Sequence, residues 1–135
     1  MMSLDRFIEA QKEDYALAFR EISNGKKRNH YMWYIFPQIC LGSSPTSEYY
    51  AIDGLEEARE YMENEYLRNN LINISSQLLK LETNDPISIF GRIDSKKLRS
   101  SMTLFELVSD DDVFSKVLEK YFDGERDELT LDLVK

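Results

Sequence analysis

The sequence has little of the residues from which metal centres, disulfide frameworks and disordered segments are built. It contains one cysteine and one histidine among 135 residues, which excludes a disulfide framework, a zinc finger and a multi-histidine metal site. Five glycines and three prolines are too few for a collagenous or low-complexity chain. The hydrophobic fraction of 42% predicts a folded chain instead, and the length predicts one domain over residues 1–135. No cofactor is implied.

The sequence also lacks export and membrane signals. Its longest uninterrupted apolar run, residues 31–37, is far too short to span a bilayer. The first residues, MMSLDRF, have neither the basic nor the apolar region of a signal peptide. These absences, together with an unpaired Cys40 that suits a reducing compartment, predict a cytoplasmic location.

Positive charge is scarce in the last part of the chain. The net charge is −8, and residues 106–135 carry ten acidic but only four basic side chains. Nucleic acids and anionic membranes are bound by clustered lysines and arginines, so neither is expected as a partner. The one basic cluster of the N-terminal third is Lys26-Lys27-Arg28, next to His30.

Apolar residues recur with the period of an α-helix along most of the chain. The clearest stripe predicts an amphipathic helix within residues 65–82; it consists of Leu67, Leu71, Ile74, Leu78 and Leu81. Candidate caps and glycine stops divide the rest into further short helices. The predicted caps are Ser3, Asp53 with Glu56, Asp85, Asp94, Asp112 and Asp127, and the predicted stops are Gly25, Gly91 and Gly124. The pattern predicts an all-α fold, a single irregular bundle of about six to eight short helices.

The aromatic segment of residues 31–36 is the one ambiguous element. It is rich in β-prone residues, but no second strand-like run is present for it to pair with. A buried helical turn or an extended segment is therefore favoured over a sheet. We expect one core cluster that contains the aromatic segment and both long stripes; its predicted members are Trp33, Phe36, Leu71, Leu78, Met102 and Phe105.

Residues 26–38 are the first segment with chemical potential, because three cations and His30 run directly into Trp33 and end at Gln38. Such cations can bind a phosphate or a carboxylate, and an indole can stack on a planar ring. The simpler alternative is a solvated basic turn that is followed by core aromatics.

Residues 94–105 are the second such segment. On a helix, Lys97 shares a face with Ser100 and Ser101, and Thr103 lies on a neighbouring face. Hydroxyls and ammonium groups near a helix N-terminus favour an anion. The alternative is an ordinary amphipathic helix whose hydroxyls face water.

Sequence signatures of nucleophilic catalysis are missing. There is no G-x-S-x-G elbow, and Cys40 has no flanking catalytic signature. We therefore expect Cys40 to be a small buried apolar side chain.

Both segments resemble the hallmarks of a known family. Residues 27–38, KRNHYMWYIFPQ, are similar to K-x-S-H-W-M-W-F-I-F-P-Q, and residues 97–105, KLRSSMTLF, are similar to K-L-x-S-S-M-T-L-F. These are hallmarks of a bacterial family catalogued as domain of unknown function 1810. The resemblance implies a single, mainly α-helical domain and supplies no established activity. Members are often labelled calpastatin, but that disordered, Pro-rich inhibitor does not fit a helical chain with three prolines.

The sequence departs from the family pattern in three places. Asn29 stands for a Ser and Tyr31 for a Trp in the first hallmark. Residues 64–68 replace a His-Pro-x-Leu-Gly turn, and Asp94-Ser95 replaces an Asp-Asp pair. Any role that needs both carboxylates of that pair is therefore in doubt.

Two functional hypotheses follow. The first is a pocket between the two hallmarks for a small anionic ligand, nucleotide-like or ADP-ribose-like, which is either only bound or also turned over. Lys27, Lys97 and Arg99 would neutralise charge, Gln38, Ser100, Ser101 and Thr103 would make hydrogen bonds, Trp33 would stack, and His30 would be the candidate catalytic group. We expect His30 or Gln38 to contact Ser100, Ser101 or Thr103. The second hypothesis is a non-enzymatic protein-interaction module with an acidic C-terminal surface and an unknown partner.

Overall fold

The protein folds into short α-helices, in agreement with the predicted all-α class. The computed structural model describes residues 3–39 and 43–134, and these ranges contain eight helices and no strand. The helices are α1 (Asp5–Ser23), α2 (Met32–Ile35), α3 (Pro45–Tyr49), α4 (Gly54–Glu63), α5 (Glu65–Leu79), α6 (Pro86–Glu106), α7 (Val113–Phe122) and α8 (Glu128–Leu133). None of them is long and apolar enough to cross a lipid bilayer. Cys40, which we expected to be buried, lies outside the described residues.

Several helix ends form where the sequence predicts them. The Asp85 carboxylate accepts a hydrogen bond from the backbone N–H of Ile87 at 2.9 Å, and Pro86 is the first residue of α6. The Asp127 carboxylate accepts one from the backbone N–H of Thr130 at 3.0 Å and starts α8. Gly25 has the positive φ of 76° that a left-handed helix stop requires.

Three predicted caps are wrong. Asp112 precedes α7 but makes no capping hydrogen bond; the Asp111 carboxylate accepts from the backbone N–H of Val113 at 2.8 Å instead. Asp53 precedes α4 but makes no capping hydrogen bond, and its backbone N–H is satisfied by Glu57 at 2.8 Å and not by Glu56. Glu57 accepts this hydrogen bond because its carboxylate is already held inside the fold by Arg6, at 2.9 Å. Asp94 does not begin a helix; it lies inside α6 and pairs with lysines instead.

A break at Gly91 divides α6 into two helical segments. Its φ of 81° and ψ of 169° belong to a region that is essentially restricted to glycine. The break leaves the carbonyl of Ile89 without its helical partner, and the backbone N–H of Lys27 donates to it at 2.8 Å. The first segment of α6 is thereby attached through its backbone to Lys27, the first residue of the first hallmark segment.

The buried apolar side chains form one cluster, in which α6 packs on α7, α5 packs on α1 and α7, and α2 packs on α1. Five of the six predicted core members are buried: Phe36, Leu71, Leu78, Met102 and Phe105. Trp33 is only partly buried and is not a member of this cluster, so the prediction is wrong for this residue. The single turn of α2 points Met32 and Ile35 inwards and leaves Trp33 at the surface.

Candidate functional site

Residues 26–30, here called the basic turn, connect α1 to α2. A cleft of about 320 Å³, here called the charged cleft, opens between the basic turn, α2 and the second segment of α6. Residues 44 and 46, at the start of α3, complete its wall. Its lining contains four of the site residues predicted from the sequence, namely Lys27, His30, Trp33 and Lys97, together with Asp94. The two hallmark segments therefore meet in space, although about 60 residues separate them in the sequence.

Asp94 is the electrostatic centre of the charged cleft. One carboxylate oxygen lies 2.7 Å from the Lys27 ammonium, and the other lies 3.2 Å from the Lys97 ammonium. Burial alone would raise the pKa of Asp94, but the hydrogen bonds and charges of the two lysines outweigh it and lower that pKa. Two cations and one anion leave an excess of one positive charge.

Aromatic rings hold both ammonium groups from the other side. The Lys97 nitrogen lies 4.2 Å from the centre of the Trp33 ring, and the Lys27 nitrogen lies 4.9 Å from that of Tyr31. Cation–π attraction of this kind restricts a flexible lysine to one position. Lys27 is also buried, whereas Lys97 keeps 23% of its side-chain surface exposed. Lys97 is thus the cation that a ligand reaches first.

Glu21, at the end of α1, organises the basic turn. Its carboxylate accepts hydrogen bonds from the backbone N–H of Arg28 at 2.8 Å, from the backbone and side-chain N–H groups of Asn29, and from the Tyr31 hydroxyl at 2.8 Å. Burial alone would raise the pKa of Glu21, but these donors lower it to about 2. Glu21 could not be identified from the sequence, because nothing in the helix pattern distinguishes it from the 24 other acidic residues.

His30 lies exposed at the edge of the charged cleft. Among the residues that the structure describes, its imidazole has no hydrogen-bond or ion-pair partner; only its backbone carbonyl is engaged, by the Tyr34 hydroxyl at 3.4 Å. A general base is normally oriented by a second side chain, and His30 has none. Within the same ranges, no three His, Cys, Asp or Glu residues are placed to hold a metal ion.

A second cleft of about 270 Å³, here called the apolar cleft, lies on the other side of the Trp33–Lys97 pair. Trp33, Gln38, Ile93, Lys96, Lys97, Asp127 and Leu129 line it. Ile93 and Leu129 are 72% and 54% exposed, so the cleft offers apolar surface that water covers. The apolar cleft therefore extends the charged cleft with a mainly hydrophobic surface.

Gln38 is held rigidly in the wall of the apolar cleft. Its backbone carbonyl accepts a hydrogen bond from Ile52 at 2.9 Å, and its side-chain N–H donates to the Phe36 carbonyl at 3.2 Å. The side chain is buried, and its Oε1 has no hydrogen-bond partner in the described part of the chain.

The hydroxyls of the second hallmark are buried inside the fold and do not face water. Thr130 donates to Asp127 at 2.6 Å and accepts from Ser100 at 3.0 Å. Thr103 donates to the Arg99 carbonyl at 2.8 Å and accepts from the backbone N–H of Asp127 at 2.9 Å. Ser100 and Thr103 thus attach α8 to α6. The sequence suggested either an anion-binding strip or a solvated face for these hydroxyls. Both interpretations place the hydroxyls at the surface, and both are wrong because the hydroxyls are buried.

Ser101 and Arg99 also lie away from the charged cleft. Ser101 is fully buried, and its hydroxyl has no partner among the described residues. The Arg99 guanidinium faces Glu125 at 3.9 Å, Asp127 at 4.0 Å and the Phe122 ring. The expected hydrogen bonds from His30 or Gln38 to the hydroxyls of the second hallmark do not form in the described ranges.

Comparison with known proteins agrees with this helical fold. Residues 1–134 match the family described as protein of unknown function (DUF1810), and the chain belongs to that family. It is similar to a conserved hypothetical protein from Mycobacterium tuberculosis whose crystal structure is known. The two are 38% identical, with a TM-score of 0.94 over 97% of this chain and 95% of the other. No curated protein has significant similarity to the chain.

Proposed function

We propose that this protein binds a small anionic ligand in the charged cleft. The observation that carries the proposal is the position of Lys97, which lies against Trp33 and Asp94 but keeps part of its surface open to the cleft. A cation that is already restricted and partly desolvated loses little freedom when an anion arrives. The excess positive charge at this point contrasts with a chain whose net charge is −8.

The ligand class is a phosphate-bearing or carboxylate-bearing metabolite, nucleotide-like or ADP-ribose-like. Lys97 and Lys27 supply charge-assisted hydrogen bonds to the anionic group, while Trp33 supplies an aromatic surface. The proposal is for binding, because His30 has neither an orienting partner nor a neighbouring nucleophile within the described residues. His30 then contributes at most a hydrogen bond at the edge of the cleft.

Thermal unfolding in the presence of anions tests the proposal. Inorganic pyrophosphate, ADP and ADP-ribose are the probes, and a probe that binds the folded protein raises the melting temperature by an amount that grows with the logarithm of its concentration above Kd. Lys97→Met should abolish the shift, whereas Lys12→Met, at an exposed site on α1, should leave it unchanged. His30→Ala should retain most of the shift. If no probe raises the melting temperature of the unmodified protein, the proposal is wrong.

The acidic C-terminal surface supports a second candidate, a protein-interaction module. Exposed carboxylates surround α7 and α8, and the apolar Leu107 and Leu133 are 45% and 48% exposed. Such a mixture suits a basic partner with apolar contacts. Binding of such a protein partner should weaken when the exposed carboxylates of α7 and α8 are replaced. It should not change in Lys97→Met, and this difference separates the second candidate from the first.

A further inference from the structure

The apolar cleft adjoins the charged cleft, and the role inferred for it rests on the proposed function. The charged and apolar clefts share Trp33 and Lys97 as a common wall. A ligand with an anionic group over Lys97 therefore has to extend over the indole into the apolar cleft or out into water. Ile93 and Leu129 flank that path and expose most of their surface, so covering them removes apolar area from water.

Gln38 indicates what kind of group fills the apolar cleft. Its side-chain orientation is set by the hydrogen bond from Nε2 to the Phe36 carbonyl, and its backbone is held by Ile52. The remaining Oε1 is a buried acceptor that finds no donor in the described part of the protein. Buried acceptors are almost always satisfied in native proteins, and Gln38 lines this cleft. Oε1 is closed to water in this structure, so a ligand that donates an N–H here supplies the missing partner by displacing the side chains that cover this atom.

We infer that the two clefts form one bipartite site for a nucleotide-like anion, in which Lys97 binds the anionic group and the apolar cleft binds a planar ring with an amino group. The amino group donates to Gln38 Oε1, and the ring contacts Trp33, Ile93 and Leu129. Lys96, at the rim of the apolar cleft, adds a second exposed cation beside the ring. The inferred ligand class is thus an amino-bearing nucleoside phosphate.

Isothermal titration with divided probes tests this inference. Pyrophosphate is expected in the charged cleft alone, cytidine in the apolar cleft alone, and CDP in both; UDP carries a C4 carbonyl and a ring N–H in place of the C4 amino group and ring acceptor of CDP. ADP and GDP extend the comparison to the larger amino-bearing bases. At least one of CDP, ADP and GDP should bind tenfold or more tightly than both UDP and pyrophosphate, since linkage of two weak contacts multiplies their affinities.

Three substitutions separate the contributions of the two clefts. Gln38→Leu should weaken the best amino-bearing diphosphate about tenfold and leave pyrophosphate binding unchanged, as expected for one lost hydrogen bond. Ile93→Ser should act in the same direction. Ile87→Ser, at an isoleucine that is 48% exposed and lies outside the cleft, is the control and should change neither affinity.

The outcomes distinguish the inference from the proposal beneath it. If pyrophosphate binds and no nucleoside diphosphate binds more tightly, the bipartite site is wrong while the charged cleft stands. If the amino-bearing diphosphates bind no more tightly than UDP, or if Gln38→Leu leaves their affinity unchanged, the assignment of the amino group is overturned. If neither pyrophosphate nor any diphosphate binds, both the proposed function and the bipartite site fail.

Discussion

Lys97 and Trp33 are in direct contact, with the ammonium nitrogen 4.2 Å from the centre of the indole ring. They come from the two hallmark segments, and their contact forms the wall between the charged and apolar clefts. The same contact explains why Trp33 is not part of the core. An indole that holds a partly exposed lysine has to stay at the surface, and its neighbours Met32 and Ile35 fill the interior instead.

Replacement of Trp33 should therefore cost much less stability than replacement of a core aromatic. We expect Trp33→Ala to lower the free energy of unfolding by about 1–2 kcal/mol, from partial burial and one cation–π contact. Phe36→Ala, at a fully buried ring, should lower it by about 3–5 kcal/mol. Urea denaturation of the two variants measures the difference. Equal losses would show that Trp33 is a core residue after all.

Lys27 and Lys97 share one carboxylate, yet they should differ in their effect on stability. Lys27→Met removes the closer and more buried partner of Asp94, and we expect a loss of about 2–3 kcal/mol. Lys97→Met removes a partly exposed pair and should cost less than about 1 kcal/mol. A double-mutant cycle of Lys27→Met with Asp94→Asn measures the coupling directly. A coupling near zero would mean that the ion pair contributes nothing to the fold.

The helical class was predictable because it depends on local rules. The stripe that includes Leu71 and Leu78 has one period and one buried face, and caps such as Asp85 and Asp127 act within three residues of their own position. Local hydrogen bonds and periodicity need no knowledge of the tertiary structure. The same holds for Gly91, whose break in α6 is a property of one residue.

The candidate site was predictable only in part, because the orientation of a polar side chain depends on distant elements. Lys27 and Lys97 were expected near an anion, but the sequence did not show that Asp94 lies between them. Ser100 and Thr103 were expected in the pocket, but α8 packs over that face of α6 and takes both hydroxyls. Helical spacing predicts which side chains point in the same direction. It does not predict which other helix packs over them, because that depends on the tertiary structure.

Removal of the adjacent hydroxyls of Ser100 and Ser101 should change the stability of the protein by different amounts. Ser100→Ala leaves Thr130 without its donor in a buried network, so a loss of about 1–2 kcal/mol in unfolding free energy is expected. Ser101→Ala removes a buried hydroxyl that has no partner among the described residues. It should be neutral within about 0.5 kcal/mol or stabilising. Thermal and urea unfolding of both variants check this, and a large loss for Ser101→Ala would reveal a hidden partner.

Gly91 should tolerate a side chain in space but not in conformation. Apart from its chain neighbours and the nearby backbone of its own helix, no described atom lies within 4 Å of the position that a Cβ would take, so Gly91→Ala introduces no clash with other parts of the fold. Its φ of 81° and ψ of 169° are nevertheless unfavourable for alanine, and a loss of about 1–3 kcal/mol is expected. Gly124→Ala is a useful comparison, because its φ of 78° is equally positive. If Gly91→Ala raises the stability, the break in α6 is not maintained in solution.

Glu21 should make the stability of the protein depend on pH below its ordinary titration range. Its pKa is lowered from 4.5 to about 2 in the folded state, so folding favours the charged form. The stabilisation is present in full above about pH 4.5 and is lost as the pH falls towards 2. Glu21→Gln lacks this titration and should be less stable by about 2 kcal/mol at pH 7, because hydrogen bonds to a charged acceptor are replaced by weaker ones.

The difference in urea midpoint between the unmodified protein and Glu21→Gln should therefore narrow between pH 5 and pH 2. Glu60→Gln, at an exposed carboxylate on α4, is the matched control and should show no such narrowing. A difference that stays constant over this range would mean that the turn of residues 28–31 does not depend on the charge of Glu21.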